Sequence, residues 1–379
     1  MPQTDTGSAE ALLDELARWV ALETPTTDPA AVNRLVDLAE AELGRAGAEL
    51  TRIPGRDGFG DNLIARTPAS ANIGTGKPIF VAAHLDTVWS LGTLAGMPYR
   101  IEGERAHGPG IYDMKAGSFL AVHAVRSILA QKVPTKRPIV LLLTPDEEVG
   151  SPTSRALIER EGSQAACVLI PEPADATGAC VTARKGVGRF SMTVAGRGAH
   201  SGSAFTEGAS AVVELAHQIL RIDGMVDLDR GITLNVAPVA GGTRPNVIPA
   251  AARCEIDLRV ATAADGERMA HLLLGLGALT PGCTVTVTGG MNRPPFAESP
   301  GILGLYEKAR AIAGTVGIAM PRQQRGGGSD GNFTAALGIP TLDGLGCPGA
   351  GAHTSDEHIL WRELAPRAAL MAGLLETLD

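Results

Sequence analysis

The sequence predicts an α/β protein with a mostly parallel central sheet and a small α+β domain inserted into it. Apolar, strand-like runs alternate with helix-like segments over residues 1–181, and the alternation returns over residues 296–379. Such alternation is typical of parallel sheets covered by helices. Residues 182–295 instead follow the order strand, helix, strand, strand, helix, strand, which is that of a ferredoxin-like split βαβ domain. We therefore expect a larger, discontinuous domain of residues 1–181 and 296–379 and a small inserted domain of residues 182–295.

The elements of the larger domain follow from the spacing of its apolar residues. Helical spacing is present over residues 8–22 and 28–46, in MKAGSFLAVHAVRSILAQ, and over residues 362–378. The strand-like runs are LIARTP, PIFVAAHL, RPIVLLLTPDEEVG and AACVLIPEP. The last three are almost continuously apolar, as strands are when both faces of a sheet are covered. The segment GPGIYD predicts a tight loop before the third helix.

The elements of the small domain are predicted in the same way. The strands are GRFSMTVAGRGAHSG, GITLNVAPVAGG, AARCEIDLRVAT and CTVTVTGG. Residues 208–222 and 263–276 have the spacing of helices. These helices follow the first and third strands, and the split βαβ pattern requires this placement.

The composition excludes several classes of function. The net charge is −8 at pH 7 and no basic run is present, which argues against binding to nucleic acid or anionic membranes. No stretch reaches the ~18 consecutive apolar residues that a membrane span needs. The first residues, MPQTDTGSAEALLDELARWV, lack the basic start and apolar core of a secretory signal. We therefore expect a cytoplasmic protein that binds neither nucleic acid nor membranes.

Polar side chains follow the apolar strands where these strands end. His84 and Asp86, at the end of PIFVAAHLD, lie two positions apart and so point to the same side of a strand. Comparable positions after other strands or Gly-rich turns are those of Asp113, Glu147, Glu148, Glu172 and His353. In an open α/β sheet, ligands bind beyond the carboxyl ends of the strands. Five of these positions, two His and three carboxylates, each follow a different apolar strand or Gly-rich turn. Such a set without Cys suits Zn²⁺ or a similar divalent ion, and two ions could share it if one carboxylate bridges.

Each of these features has a plainer explanation when it is taken alone. A His at a strand end is commonly structural, DEE after a strand is commonly a solvated turn, and GPG is commonly only a turn. Their joint occurrence, each at a strand end, is what favours a metal site. A serine hydrolase is not supported, because no GxSxG elbow is present and GGGSDG does not supply one.

The motifs HLDTV, GPGIYDMKAG, TPDEEVGS, PEP and AHTSDE, in this order, resemble the dinuclear-zinc aminoacylase and carboxypeptidase family. The resemblance runs from about residue 10 to the end of the chain. It is strongest to the glutamate carboxypeptidase (carboxypeptidase G type) branch, through HLDTVWSLGTLAGMPYRIEGERAHGPGIYDMKAG and GGGSDGN. It implies a zinc-exopeptidase-like catalytic domain and a lid or dimerisation domain, which would be the discontinuous and the inserted domain respectively.

The resemblance implies roles for the strand-end residues. His84, Asp113 and Glu172 would bind one zinc ion, and Asp113, Glu148 and His353 the other, with Asp113 bridging and a cis peptide bond after it. Co²⁺ or Mn²⁺ would fit the same donors. Asp86 would orient His84 by accepting its second N–H, as metal-bound His usually requires. Glu147 would be the general base that takes a proton from water and returns it to the leaving amine.

The resemblance also implies roles for residues of the inserted domain. His200 would donate to the tetrahedral oxyanion, in the family typically across a subunit boundary, so a homodimer is implied. Arg259, Asn246 and Arg293 would hold the substrate's carboxylate, although structural salt bridges are the plain alternative for the two arginines. The loop GGGSD would lie beside the leaving amino acid, with Gly327 and Gly328 presenting backbone amides.

One departure from the family pattern bears on the substrate. Glutamate-specific members are expected to carry a lysine shortly after the acid at Glu172, whereas PEPADATGACVTARKG contains no basic residue before Arg184. The substrate is therefore expected to be a small peptide or an N-acyl amino acid without strict preference for C-terminal glutamate. The alternatives are a deacylase of the acetylornithine deacetylase or succinyl-diaminopimelate desuccinylase type, and a metal-free binding protein of the same fold. The complete ligand set argues against the second.

Overall fold

The structure is a computed structural model that describes residues 2–69, 71 and 73–379. The chain divides into two compact units. The first comprises residues 1–183, 298–325 and 329–379, and the second comprises residues 184–297 and 326–328. Within the part of the chain that the structure describes, no helix has the length and apolar character that a membrane span requires.

The helices and strands are numbered in chain order. The helices are α1 Ala9–Val20, α2 Pro29–Arg45, α3 Thr93–Gly96, α4 Ala116–Gln131, α5 Arg155–Gln164, α6 Ala211–Asp223, α7 Ala263–Leu274, α8 Pro300–Thr315, α9 Gly331–Ala336 and α10 Leu364–Thr377. The strands are β1 Glu49–Ile53, β2 Asn62–Arg66, β3 Ile79–His84, β4 Arg100–Glu102, β5 Arg105–His107, β6 Ile139–Thr144, β7 Cys167–Leu169, β8 Cys180–Arg184, β9 Gly186–Ala195, β10 Thr233–Gly241, β11 Ala251–Val260, β12 Thr284–Arg293, β13 Arg322–Arg325, β14 Thr341–Leu342, β15 Gly349–Ala350 and β16 His358–Leu360. Single turns of 3₁₀-helix cover Glu147–Val149, Phe205–Glu207 and Trp361–Glu363.

The central sheet of the first unit has the strand order β1-β2-β6-β3-β7-β14. Strands β6, β3, β7 and β14 run parallel, whereas β1 and β2 form an antiparallel edge. Every residue of β3 and β6 is buried, which agrees with the continuously apolar runs in the sequence. In the parallel register His84 is the partner of Thr144, so the segments that follow β3 and β6 leave the sheet at the same edge.

A smaller antiparallel sheet of the first unit has the order β15-β16-β5-β4. Its register places His358 directly opposite His107 on the neighbouring strand. This sheet joins two segments that are distant in sequence. One contains β4 and β5 and precedes the loop that carries Asp113, and the other contains β15 and β16, which flank the loop that carries His353.

The second unit is a ferredoxin-like domain. Its antiparallel sheet has the order β10-β11-β9-β12, and residues of α6 and α7 share its hydrophobic core, including Leu215 on α6 and Met269 on α7. Strand β11 alternates between exposed and buried residues, as a strand does when only one face of its sheet is covered. The predicted fold class, a mostly parallel α/β sheet with an added small α+β domain, is therefore confirmed. The assignment of catalytic and lid roles to residues 1–181 with 296–379 and to residues 182–295 stays a prediction.

Several predicted elements begin or end at other residues in the structure, among them a helix of the first unit and a strand of the second. The helix predicted from Met114 begins at Ala116, because Asp113 and Met114 have non-helical backbone angles within a π-type turn over Ile111–Lys115. The strand predicted over residues 188–202 ends at Ala195. Gly196 then passes so close to another segment that a Cβ there would lie 2.2 Å from the Ala209 carbonyl oxygen.

The stability of the second unit depends on pH because the unit contains a buried carboxylate, that of Glu214. Glu214 accepts hydrogen bonds from Gln218 Nε2 at 2.6 Å and from the backbone N–H groups of Leu279 and Thr280 at 3.0 and 2.5 Å. Burial opposes ionisation, but these hydrogen bonds prevail and lower the pKa of Glu214 to about 2. Since the folded pKa lies below the ordinary value of 4.5, the stabilisation is present above pH 4.5 and is lost as the pH falls through 2.

We expect Glu214→Gln to lower the free energy of unfolding of the second unit by about 2 kcal/mol at pH 7. The difference from wild type should shrink as the pH falls from 4.5 towards 2, because the wild-type carboxylate then becomes protonated. Urea unfolding of the full chain at several pH values measures this difference. Glu267→Gln, an exposed position on α7, is the matched control and should unfold like wild type. A pH-independent effect of Glu214→Gln would contradict the electrostatic explanation.

Candidate metal centre

His84 lies at the carboxyl end of β3 and is buried. Its Nδ1 lies 2.9 Å from the backbone carbonyl oxygen of Asp86 and 3.4 Å from Asp86 Oδ1. The sequence prediction that the Asp86 carboxylate accepts this N–H is therefore modified, because the nearer acceptor is the carbonyl of the same residue. Either acceptor keeps Nδ1 protonated and leaves the lone pair of the ring on Nε2.

Asp86 has a further task that the sequence prediction did not include. Its Oδ1 accepts a hydrogen bond from the backbone N–H of Glu147 at 3.1 Å, and its Oδ2 from that of Glu148 at 3.2 Å. Thr26 Oγ1 donates to the same Oδ2 at 2.7 Å. One buried carboxylate thus positions the 3₁₀ turn after β6 that carries both neighbouring acids.

Asp113 is presented by a tight turn before α4. Gly110 begins this turn with φ +71°, and a Cβ there would lie 2.3 Å from Thr87 Cγ2, so both the backbone angle and the space require glycine. The peptide bond between Asp113 and Met114 is cis, as the family resemblance implies. The non-helical angles of Asp113 turn its carboxylate away from the helix that follows.

Glu172 reaches the cluster because α4 approaches the segment after β7 closely. A Cβ at Gly117 would lie 1.8 Å from the Pro171 carbonyl oxygen, so only glycine allows this approach. The final glycine of the motif DMKAG therefore has a packing explanation. It brings the turn that carries Asp113 and the segment that carries Glu172 together.

His353 comes from the loop between β15 and β16. Its φ is +62°, a left-handed conformation that non-glycine residues seldom adopt. About half of its side chain is exposed. A left-handed backbone costs on the order of 1 kcal/mol and commonly occurs at functional sites.

These side chains converge around the carboxylate of Asp113. One of its oxygens, Oδ1, lies 3.4 Å from His84 Nε2, and the other, Oδ2, lies 3.3 Å from His353 Nε2. His84 Nε2 is also 3.8 Å from Glu172 Oε1, and His353 Nε2 is 3.2 Å from Glu148 Oε2. Asp113 therefore lies between one set of side chains with His84 and Glu172 and a second set with His353 and Glu148. The roles of these sets as ligands of two ions stay a prediction.

Glu147 lies beside the first of these sets. One of its carboxylate oxygens, a ring nitrogen of His84 and an oxygen of Glu172 all lie within 4.8 Å of one another. Glu147 is half-buried, and its backbone is held by Asp86. Glu148 contacts His353, and one of its oxygens also lies within 4.8 Å of ligand-type atoms of His84 and Asp113.

The pKa values in the cluster reflect crowded negative charge. Burial, and next the neighbouring carboxylate of Asp113, raise the pKa of Glu172 well above its usual range. Burial also raises the pKa of Glu148, despite its contact with His353. Contacts with Asp113 and Glu148 raise the pKa of His353 to about 10, and carboxylate neighbours raise the pKa of His84 in spite of its burial. Bound protons thus neutralise part of the negative charge of the clustered carboxylates. A divalent cation, with two positive charges, would neutralise more of it.

A divalent metal fits this donor set. In the described part of the chain, His84 Nε2 and Glu148 Oε1 are buried and have no hydrogen-bond partner. Buried polar atoms without partners are costly, and both are ordinary metal-ligating atoms. Imidazole nitrogens and carboxylate oxygens without a thiolate suit Zn²⁺, and also Mn²⁺ or Co²⁺.

Two of the predicted substrate-side residues lie together in the second unit. His200 and Val247, the residue after Asn246, form a bridge between neighbouring segments, and the Ser201 N–H donates to the Asn246 carbonyl at 3.1 Å. His200 is exposed, and its Nδ1 accepts from the N–H groups of Gly202 and Ser203, both at 3.2 Å. A neutral ring with Nδ1 as acceptor carries its proton on Nε2. His200 can therefore serve as a hydrogen-bond donor, although its role stays a prediction.

The two predicted arginines have different surroundings. Arg259 forms a bidentate pair with Asp257, with distances of 2.7 and 2.9 Å, so its guanidinium already has a carboxylate partner. Arg293 is buried, and a Cβ at Gly328 would lie 2.8 Å from its Cδ. Gly327 accepts a hydrogen bond from Arg184 Nη1 at 3.2 Å. The Gly-rich loop therefore packs on Arg293, and the roles of these residues in binding substrate stay predictions.

The sequence prediction missed Glu357, a buried carboxylate that holds the Asp113 turn. Glu357 accepts hydrogen bonds from the N–H groups of Gly110, Tyr112 and Asp113 at 2.9 to 3.0 Å, and from Trp89 Nε1 at 2.7 Å. The available signal was its position in AHTSDEH, four residues after His353. Glu357 thus links the turn of the bridging residue to the loop of a terminal ligand.

We expect Glu357→Gln to weaken metal binding at Asp113 by about 10–100-fold. The side-chain NH₂ group of glutamine would face the backbone N–H groups that now donate to the carboxylate, and two donors cannot form a hydrogen bond. The free energy of unfolding should also fall by about 1–3 kcal/mol, since buried donors lose their acceptor. Metal titration and urea unfolding measure the two effects. Glu104→Gln, at an exposed position, is the control. Wild-type metal affinity in Glu357→Gln would show that the turn does not depend on this carboxylate.

Comparisons with known proteins identify a family of similar sequences and folds. The sequence model of peptidase family M20/M25/M40 matches residues 80–377. Carboxypeptidase G2 of Pseudomonas sp. (strain RS-16) is 30% identical over 381 residues, which cover 98% of this chain and 90% of that protein. Acetylornithine deacetylase of Myxococcus xanthus is 28% identical over 277 residues, 69% of this chain and 70% of that one. The crystal structure of aminopeptidase PepT from Bacillus cereus has the same fold, with a TM-score of 0.77 at 23% identity over 98% of this chain and 99% of that chain.

Proposed function

We propose that this chain, which belongs to peptidase family M20/M25/M40, is a carboxypeptidase. It would release a C-terminal or N-acylated amino acid by hydrolysis of an amide bond. Metal-dependent amide hydrolysis is the chemistry of this family, and the chain is a metallopeptidase or amidohydrolase. The observation that supports the proposed site most strongly is the position of Asp113, whose two oxygens face His84 and His353 separately.

The residues that would hold the metals are those of the two sets around Asp113. His84, Asp113 and Glu172 would hold one ion, and Asp113, Glu148 and His353 the other. The ions, with zinc the default and cobalt or manganese also suited, would lower the pKa of a bound water and polarise the scissile carbonyl. Both imidazoles must be neutral to bind, so protons leave His84 and His353 when metal enters.

Glu147 is the proposed general base. It lies beside the His84 set without belonging to either proposed ligand set, and the Asp86 carboxylate fixes its backbone. From this position it takes a proton from the attacking water and delivers it to the nitrogen of the leaving amine. Glu148, whose Oε2 lies 3.2 Å from His353 Nε2, would belong to the second set, so the two neighbouring acids would have different roles.

The second unit supplies the proposed substrate-side groups. His200, protonated on Nε2, would donate to the oxyanion that forms at the scissile carbonyl. Arg293, Asn246, Arg259 and the amides of Gly327 and Gly328 would hold the carboxylate of the leaving amino acid. For Arg259 this requires release of Asp257, with which it forms a bidentate pair. Arg293 is buried and lies against Gly328 of the Gly-rich loop.

The cellular setting and the oligomeric state are further parts of the proposal. We propose a cytoplasmic homodimer that associates through the second unit and acts on small peptides or N-acyl amino acids. The family resemblance supports the dimer, since the residue at the position of His200 typically acts across a subunit boundary. The alternative of a deacylase is favoured by the similarity to acetylornithine deacetylase, which extends over 69% of this chain.

Release of amino acids from matched substrates tests the proposed reaction. The panel consists of N-blocked dipeptides with a free C-terminal carboxylate, the same dipeptides with a C-terminal amide, and N-acetyl and N-succinyl amino acids. A carboxypeptidase releases the C-terminal residue from the first group and not from the second, because the carboxylate is what the enzyme recognises. Preference for the acetyl or succinyl compounds would assign the chain to the deacylases. Failure on the whole panel by protein that binds two metal ions would overturn the proposed substrate class.

A further inference from the structure

A second cluster of ligand-type residues lies in the small antiparallel sheet of the first unit. His107 on β5 and His358 on β16 are directly opposite each other, with ring centroids 5.1 Å apart and planes inclined by 40°. Asp356 lies two residues before His358. Its Oδ1 is 3.9 Å from His107 Nδ1, and its Oδ2 is 3.9 Å from His358 Nδ1. One nitrogen of each ring and one Asp356 oxygen lie within 4.8 Å of one another.

His107 is the observation that points to a ligand. Its side chain is only 2% exposed, and neither ring nitrogen makes a hydrogen bond to any of the described residues. Its Nε2 lies 3.6 Å from Glu102 Oε2. A buried imidazole whose nitrogens make no hydrogen bond is costly, so its retention needs an explanation. A neutral imidazole is an ordinary metal ligand.

The other two residues have the features of metal ligands. His358 is buried, and its Nδ1 lies 2.7 Å from the Asp356 carbonyl oxygen, a contact that orients the ring as in many metal-bound histidines. The Asp356 side chain is 69% exposed and can adjust its position. Donors around a tetrahedral zinc ion at ~2.0 Å lie about 3.3 Å apart, so atoms within 4.8 Å of one another need to approach by at most about 1.5 Å. The exposed Asp356 side chain can move towards the two rings.

We propose that His107, Asp356 and His358 form an additional divalent metal site, separate from the two ligand sets around Asp113. Two imidazoles and one carboxylate suit Zn²⁺, with a water molecule completing a tetrahedron. The bound ion joins β5 to β16. It thereby fixes the segment that contains Glu357 and follows His353. Glu357 accepts a hydrogen bond from the Asp113 N–H, so the ion also stabilises the Asp113 turn. The additional site thus acts on the structure of the catalytic loop and takes no part in the reaction.

The test removes the proposed catalytic site first, so that the two sites are distinguished. The double variant His84→Ala/His353→Ala lacks a terminal ligand of each catalytic ion. In this background we expect one equivalent of Zn²⁺ to bind, as measured by competition with a chromophoric chelator, and added Zn²⁺ to raise the midpoint of thermal unfolding. Introducing His107→Phe, which keeps an aromatic ring in the buried position, should abolish both effects.

A second variant covers the case in which His107→Phe does not fold. Asp356→Asn changes an exposed side chain, so it should fold normally and bind Zn²⁺ in the double-variant background about 10–100-fold more weakly. The proposal is overturned if the folded double variant binds no Zn²⁺, or if its remaining equivalent persists unchanged in His107→Phe or Asp356→Asn. Because the readouts are binding and thermal unfolding, they do not depend on whether the proposed peptidase reaction is correct.

Discussion

Glu147→Gln is expected to lower kcat by about 10²–10⁴-fold, the range attributed to general acid–base catalysis. The amide is nearly isosteric with the carboxylate but cannot take a proton from water. The backbone contact between Glu147 and Asp86 would be unaffected, because it uses the main-chain N–H. The metal content should therefore stay at two ions while amino-acid release nearly ceases.

The neighbouring acid provides a matched comparison for this variant. Glu148→Gln changes the same chemical group one residue later, but the carboxylate it removes contacts His353. It should lose activity together with one metal ion, and added metal should restore part of the activity. Glu159→Gln, on the surface of α5, should behave like wild type. If Glu147→Gln lost metal and Glu148→Gln did not, the two proposed roles would have to be exchanged.

Asp113→Asn is expected to weaken binding of both metal ions by more than about 10²-fold, since even the loss of an outer partner of a ligand costs 10–100-fold. Asp113 is the residue whose oxygens face both histidines, so no other single change should affect both ions equally. An asparagine side chain keeps one oxygen but lacks the negative charge and the second oxygen that could bind a metal ion. Metal content after dialysis, and amino-acid release at stoichiometric metal, measure the effect.

The comparison for Asp113→Asn is with variants of the terminal ligands. His84→Ala and His353→Ala should each weaken one ion and leave the other measurable. Far-UV circular dichroism of each metal-free variant establishes that the fold is retained. An Asp113→Asn protein that keeps two ions with wild-type affinity would refute the bridging role.

The strand ends explain how much of the site could be predicted from the sequence. His84 and Glu172 follow short, fully apolar runs, and such runs predict buried parallel strands whose carboxyl ends share one edge. The position of the site and its chemical type therefore follow from local patterns. The alternating residues of β11 predict the sheet of the second unit in the same way.

What could not be predicted depends on contacts between distant segments. Glu357 reaches the Asp113 N–H across 244 positions of the chain, and nothing local distinguishes it from any acid in a loop. The start of α4 at Ala116 depends on the backbone angles that this contact helps to hold at Asp113. The left-handed angle of His353 is likewise unfavourable by itself and is set by the surrounding loop. In contrast, the pairing of Arg259 with Asp257 was open to prediction, because residues two apart on a strand share a face.

Two ions held around Asp113 are proposed to enable this chain to hydrolyse amide bonds. The most direct measurement is a titration of chelated, metal-free protein with Zn²⁺, during which amino-acid release from an N-blocked dipeptide is followed. We expect no release without metal, and release that rises to a plateau as the second ion enters the cluster of His84, Asp113, Glu148, Glu172 and His353. Undiminished amino-acid release by protein shown to be free of metal would show that hydrolysis does not require the two ions.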